Sequence, residues 1–82
     1  MNTKESVLAA IAQVLRDGGR GETEIRGDLA LGAEGLNLDS VDMATVVAAL
    51  ERELGIDPFA AGSPSFRTVD EFVRLYEGSQ AQ

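Results

Sequence analysis

Asp39-Ser40-Val41-Asp42-Met43-Ala44-Thr45-Val46-Val47-Ala48-Ala49-Leu50-Glu51-Arg52-Glu53-Leu54-Gly55 decides the fold of this chain. Met43, Val46, Val47, Leu50 and Leu54 recur at the spacing of one helix face, so the stretch reads as an amphipathic helix with a single apolar seam. Asp39 suits the N-cap, since its short carboxylate accepts from amides of the first turn. Gly55 stops the helix and Pro58 prevents its resumption. Ser40 then falls in the first turn, exposed, beside the partial positive charge of the helix N-terminus. A phosphate diester on its hydroxyl oxygen is favoured there by the dipole and by free backbone amides.

Two further helices flank this one. Toward the N-terminus, Val7, Leu8, Ile11, Val14 and Leu15 share a face, with Thr3 as the cap and Gly18-Gly19 as the stop. Toward the C-terminus, Val69, Phe72, Val73 and Tyr76 repeat the pattern; Thr68-x-x-Glu71 supplies a capping box and Gly78 the end. No run alternates as a strand does. The expected fold is therefore all-α, a small three-to-four-helix bundle with a long first loop. Residues 1–82 form a single domain, with 79–82 as a fraying tail. Isolated helices of this length are marginal in water, so the three must bury their seams on one another. The loop from Gly18 to Leu38 carries Ile25, Leu29, Leu31, Leu36 and Leu38, spaced so that it folds over the bundle and adds to the core. A short fourth helical turn is expected around Phe59-Ala60-Ala61. There are no internal repeats.

Composition narrows the function. Cysteine and histidine are both absent, which removes disulfides, thiolate metal sites, imidazole catalysis and the commonest metal ligand. Any thiol chemistry must use a sulfur the chain does not encode. No paired carboxylates occupy an evident pKa-shifting pocket, and no segment has calcium-loop spacing, so the chain is not expected to be an enzyme or to hold a metal. The net charge is −7, and more than half of the excess falls between Asp39 and Asp57. With no basic stripe, nucleic acid and anionic membranes are not expected partners. No apolar run approaches a membrane span and no leader pattern is present, so a cytoplasmic location is expected.

A turn of about 100° per residue sorts the central helix into faces. Val41, Ala44 and Ala48 fall beside Ser40, Glu51 returns next to Ala44, and Asp42 and Glu53 lie on the opposite flank. Acid-bordered apolar strips of this kind suit transient docking, where charge steers and a small apolar area makes contact. Equally, Ala44 and Ala48 are good helix formers that need no partner, and an acidic cluster is commonly a solvated face.

From Gly27 to Gly78 the chain resembles the acyl carrier protein family, as a stand-alone phosphopantetheine-binding carrier. The resemblance lies in Asp39-Ser40-Val41 in place of the usual Asp-Ser-Leu, in Ala49-Leu50-Glu51-Arg52-Glu53-Leu54-Gly55-Ile56, and in Phe66-Arg67-Thr68-Val69-Asp70-Glu71-Phe72-Val73. Residues 1–26 match only in pattern. The resemblance implies that Ser40 is modified with 4′-phosphopantetheine from coenzyme A by a separate phosphopantetheinyl transferase using Mg²⁺. The arm's thiol then holds acyl intermediates as thioesters for partner enzymes. By position, Asp39, Val41, Asp42, Ala48 and Glu51 correspond to the family's partner-contact surface. Partners with basic docking surfaces are implied, such as a ketosynthase, an acyltransferase or an acyl ligase, and the carrier is expected to be a monomer.

Some features depart from the family pattern. Asn37-Leu38 stands where Gly-Leu or Gly-Gly is usual, and Thr45 where fatty-acid carriers commonly have an acid. Ala33 to Asn37 and Asp57 to Gly62 also differ from housekeeping carriers, which points to polyketide or other specialised acyl biosynthesis. An acyl chain lodged among Val46, Val47, Leu50, Ile56 and Phe66 is one reading of those residues, and plain core is the other. Two alternatives stay open: an aminoacyl or peptidyl carrier, and an acidic helical adaptor without a prosthetic group.

Overall fold

The computed structural model describes residues 2–59 and 65–80, and the fold is all-helical: α1 (Thr3–Asp17), α2 (Ser40–Leu54) and α3 (Val69–Gln80). Among the described residues there is no strand, only an isolated antiparallel bridge between Ala30 and Thr68. No helix there is long and apolar enough to cross a membrane. The fourth turn expected around Phe59-Ala60-Ala61 lies largely outside the described residues.

Helix α1 is the spine. It packs against both α2 and α3, and residues of all three helices share one hydrophobic core. Val7, Ala10, Ile11, Val14 and Leu15 are buried along its inner face, as the periodicity predicts. Ser6 is also buried, and its hydroxyl donates to Glu53 Oε1 across the α1–α2 contact at 3.3 Å. The N-cap is Asn2, not Thr3: Asn2 accepts from the Glu5 amide at 2.8 Å, and Thr3 is already helical. Asn outranks Thr as a cap, which is the physical reason for the one-residue shift.

The end of α3 also differs from expectation. Gly78 does not terminate the helix, which continues through Ser79 to Gln80. Gly stops a helix by entering the left-handed region, as Gly55 does after α2 at φ 68°, whereas Gly78 has no positive φ. The start of α3 follows the sequence closely. Glu71 accepts from the Arg67 and Thr68 amides at 2.9 and 3.0 Å, and its own amide donates to Thr68 Oγ1. Those backbone donors hold the Glu71 carboxyl below its usual range.

The long loop earns its place in the core. Leu31, Leu36 and Leu38 are buried, and Ile25 and Leu29 are half-buried. Each fully buried leucine contributes about 1.5–3 kcal/mol of apolar transfer energy. The loop runs beside the start of α3: Leu31 N donates to Arg67 O, Val69 N to Leu29 O and Asp70 N to Gly27 O, all at 2.9–3.0 Å. An exposed Arg67–Glu34 ion pair lies beside this strap.

Candidate functional site

Ser40 is the first residue of α2, exposed, and its hydroxyl has no hydrogen-bond partner among the described residues. A reciprocal capping box holds the turn behind it. The Asp42 amide donates to Asp39 Oδ1 at 2.8 Å, and the Asp39 amide donates to Asp42 Oδ2 at 3.2 Å. The first amides of the helix, at Ser40 and Val41, have no intrahelical acceptor and remain for an anion.

The approach to Ser40 is pinned from several sides. Leu36, Asn37 and Leu38 donate through their amides to Ala30 O, Gly32 O and Leu31 O at 2.7–2.9 Å. Arg20 reaches across from the end of α1, donating from Nη1 to Leu36 O at 2.6 Å and from Nη2 to Asn37 O at 3.4 Å. Asn37 itself sits at φ 56°. Glycine adopts that left-handed conformation freely, and Asn is among the few other residues that tolerate it, so Asn37 keeps the backbone path that a glycine would allow there.

An open groove of about 530 Å³ begins at Ser40 and follows α2. Ser40, Met43, Ala44, Val47, Ala48 and Glu51 form its helical side, and Asp57, Phe59 and Phe66 close it. The five apolar residues expected in one core seam all join the core, Val46 and Leu50 buried and Met43, Val47 and Leu54 half-buried against it. Only Val46 and Leu50 are fully buried against α1, while Met43 and Val47 turn toward the groove. Val46 and Leu50 are thus deep core, whereas Val47 and Phe66, from the same candidate cargo set, also line the groove; Ile56 is half-buried.

Behind the groove runs an aromatic row. Phe59 and Phe66 ring centroids are 5.9 Å apart, Phe66 and Phe72 5.0 Å, and Phe72 and Tyr76 5.2 Å. Tyr76 is 0% exposed, and its hydroxyl is buried without a hydrogen-bond partner among the described residues. Burial first, then the Asp57 and Glu51 carboxylates, push its ionisation from 10.0 up to about 12.

The expected docking residues fall in three places. Ala48 and Glu51 share the groove face with Ser40. Val41 stands out from the helix, 71% exposed. Asp39 and Asp42 are engaged in the capping box, and Asp42 faces a second depression toward Val14, Asp17 and Gly18 at the end of α1. The Thr45 hydroxyl donates to Val41 O at 3.0 Å, so it caps no acidic site of its own. Among the described residues no cluster of potential ligands could hold a metal ion.

Sequence reasoning missed Asp57, Phe59 and Tyr76 as neighbours of the site. Periodicity had assigned Tyr76 to the core, where it is, but its hydroxyl was the overlooked signal: a buried phenol needs a partner. In comparisons with known proteins, no family model, no curated protein and no solved structure matches the chain.

Proposed function

We propose that this chain is an acyl carrier protein whose Ser40 hydroxyl bears a 4′-phosphopantetheine arm. One observation carries the reading: an exposed serine with a free hydroxyl at the capped start of an acidic helix, with an apolar groove leading away from it. The residues fit the group. The α2 N-terminus favours the phosphate diester, Arg20 and the loop amides hold the attachment turn in place, and the groove offers apolar cover for whatever the arm carries. When bound, the arm supplies the terminal thiol that the cysteine-free sequence lacks.

The exposed acids suit weak, electrostatically steered docking to basic enzymes, so that one carrier visits several partners and leaves quickly. A polyketide or other specialised acyl assembly line is the setting we favour, on the sequence departures at Asn37, Thr45 and Asp57 to Gly62. The reading is tested by intact-protein mass after incubation with coenzyme A, Mg²⁺ and a broad-specificity phosphopantetheinyl transferase. A gain of one phosphopantetheinyl group, absent in Ser40→Ala, is the expected result. No gain in folded protein, under conditions that modify a control carrier, favours the adaptor reading instead.

A further inference from the structure

We propose that Arg20 is a positioning residue for the modification of Ser40: its guanidinium fixes the turn that delivers the serine to the transferase, acting through the backbone and not on the serine itself. This rests on the carrier reading above and adds to it a residue far outside the Asp39-Ser40 motif.

Arg20 stands on a fixed base. Its amide donates to Leu15 O at 2.7 Å, and its carbonyl accepts from the Thr23 amide at 3.0 Å. Gly19, at φ 79°, makes the reversal that lets the chain fold back on the end of α1. Leu15 is buried in the core, so the base of the side chain is tied to the most rigid part of the molecule.

The other end of Arg20 grips the attachment turn. Nη1 donates to Leu36 O at 2.6 Å and Nη2 to Asn37 O at 3.4 Å. These carbonyls belong to the two peptide groups on either side of the Asn37 Cα, so one planar fork constrains φ and ψ of that residue together. Asn37 is the joint that needs it: at φ 56° it occupies a region that residues other than glycine seldom adopt. The amides of Leu36, Asn37 and Leu38 are already taken by Ala30 O, Gly32 O and Leu31 O. The turn is thus held on its amide side by the loop and on its carbonyl side by Arg20. From there the chain passes through buried Leu38 and the Asp39 cap directly to Ser40, so a rotation at Asn37 is carried to the serine.

Placement is what the transfer asks of the carrier. A bond forms from Ser40 Oγ to the phosphorus of the pantetheinyl phosphate, and the bond from that phosphorus to adenosine 3′,5′-bisphosphate breaks. The serine proton passes to a base of the transferase. A serine held in one attitude meets the phosphorus in line, and a misplacement of about 1 Å can slow such a step by about 10²-fold.

The test uses the full chain, coenzyme A, Mg²⁺ and a broad-specificity phosphopantetheinyl transferase, followed by intact-protein mass under single turnover. Two quantities are read: the maximal rate at saturating transferase, and the transferase concentration that gives half of it. In Arg20→Ala the maximal rate should fall about ten-fold, with the half-saturating concentration unchanged to within about two-fold. Arg20→Lys keeps the charge but replaces the fork with a point donor, and should lie between the two. Val73→Ala thins the core on α3 while leaving every hydrogen bond of the clamp in place, and serves as the stability control, all variants being assayed well below their melting midpoints. It should transfer like the natural chain, and the amides of Leu36 to Leu38 should exchange faster in Arg20→Ala than in Val73→Ala. If Arg20→Ala does not fold, Arg20→Lys decides by the same split. A raised half-saturating concentration at an unchanged maximal rate makes Arg20 a docking charge and overturns the proposal. An equal fall in Val73→Ala, or full activity in Arg20→Ala, also overturns it while the carrier reading stands. Failure of the natural chain to load overturns both readings together.

Discussion

At the scale of one residue, Tyr76 sets the sharpest expectations. Its ring is part of the core, but its hydroxyl was taken out of water and given no partner among the described residues. Desolvating such a group costs about 1–3 kcal/mol. Tyr76→Phe should therefore raise the stability of the unmodified chain by that order, measured as a higher midpoint in thermal or urea unfolding. A drop in the midpoint would mean that the hydroxyl is satisfied in solution. The same residue dictates the alkaline limb of stability. The unfolded chain releases the phenolic proton near 10.0, and the folded chain holds it to about 12. The Tyr76 contribution is therefore intact below pH 10, declines above it, and is lost by pH 12. At about 1.4 kcal/mol per pH unit the decline is about 2–3 kcal/mol. Unfolding curves recorded between pH 9 and 12 should show this loss in the natural chain and lack it in Tyr76→Phe.

At the scale of elements, α2 depends on its cap and the long loop on a close approach. Removing the Asp39 side chain takes away the acceptor for the Asp42 amide, so Asp39→Ala should cost about 1 kcal/mol and speed hydrogen exchange in the first turn of α2. Gly35 lies against the backbone of Ala30, where an added Cβ would collide with the carbonyl. Gly35→Ala should cost about 1–3 kcal/mol by overpacking, visible in chemical unfolding, because backbone cannot rotate aside as a side chain can. The three helices were legible in the sequence because each seam keeps the 3.6-residue period and most ends carry a residue with a specific backbone role. Where two cap formers adjoin, as Asn2 and Thr3 do, pattern alone does not choose between them. Gly78 misled for a related reason: composition shows a permissive residue, and only the backbone shows whether the permission is used. The buried leucines of the loop were legible, but not its pairing with α3 through Ala30 and Thr68. The groove was invisible for a deeper reason. Period says that Met43, Val46, Val47, Leu50 and Leu54 share a broad face. Only tertiary structure says that Val46 and Leu50 lie deepest, while Met43 and Val47 are half-buried at the core's edge and also line the groove.

At the scale of the whole molecule, charge is the property that no single contact accounts for. The chain carries −7, and the acids of α2 stand on a helix that also lines a groove and begins with an exposed serine. Among the described residues none of them is in an ion pair: Asp39 and Asp42 are held in the capping box, and Glu53 accepts from Ser6. Arg26–Asp28 and Arg67–Glu34 are the ion pairs among the described residues; both are exposed and lie away from α2, where such pairs contribute little. Self-repulsion is the consequence, and it is screened over about 10 Å at 0.1 M ionic strength. Because no cluster of ligands among the described residues could hold a metal, relief of this repulsion should depend on ionic strength and not on the identity of the cation. The melting midpoint should rise with added salt, and NaCl and MgCl₂ matched in ionic strength should raise it equally. A larger rise with Mg²⁺ would instead locate a divalent site among the acids, with Glu51 and Asp57 the first pair to neutralise, since both face the groove and both act on the Tyr76 hydroxyl. Glu51→Gln with Asp57→Asn would then remove the excess rise, whereas under simple screening the double variant only starts from a higher midpoint and keeps the same response to both salts.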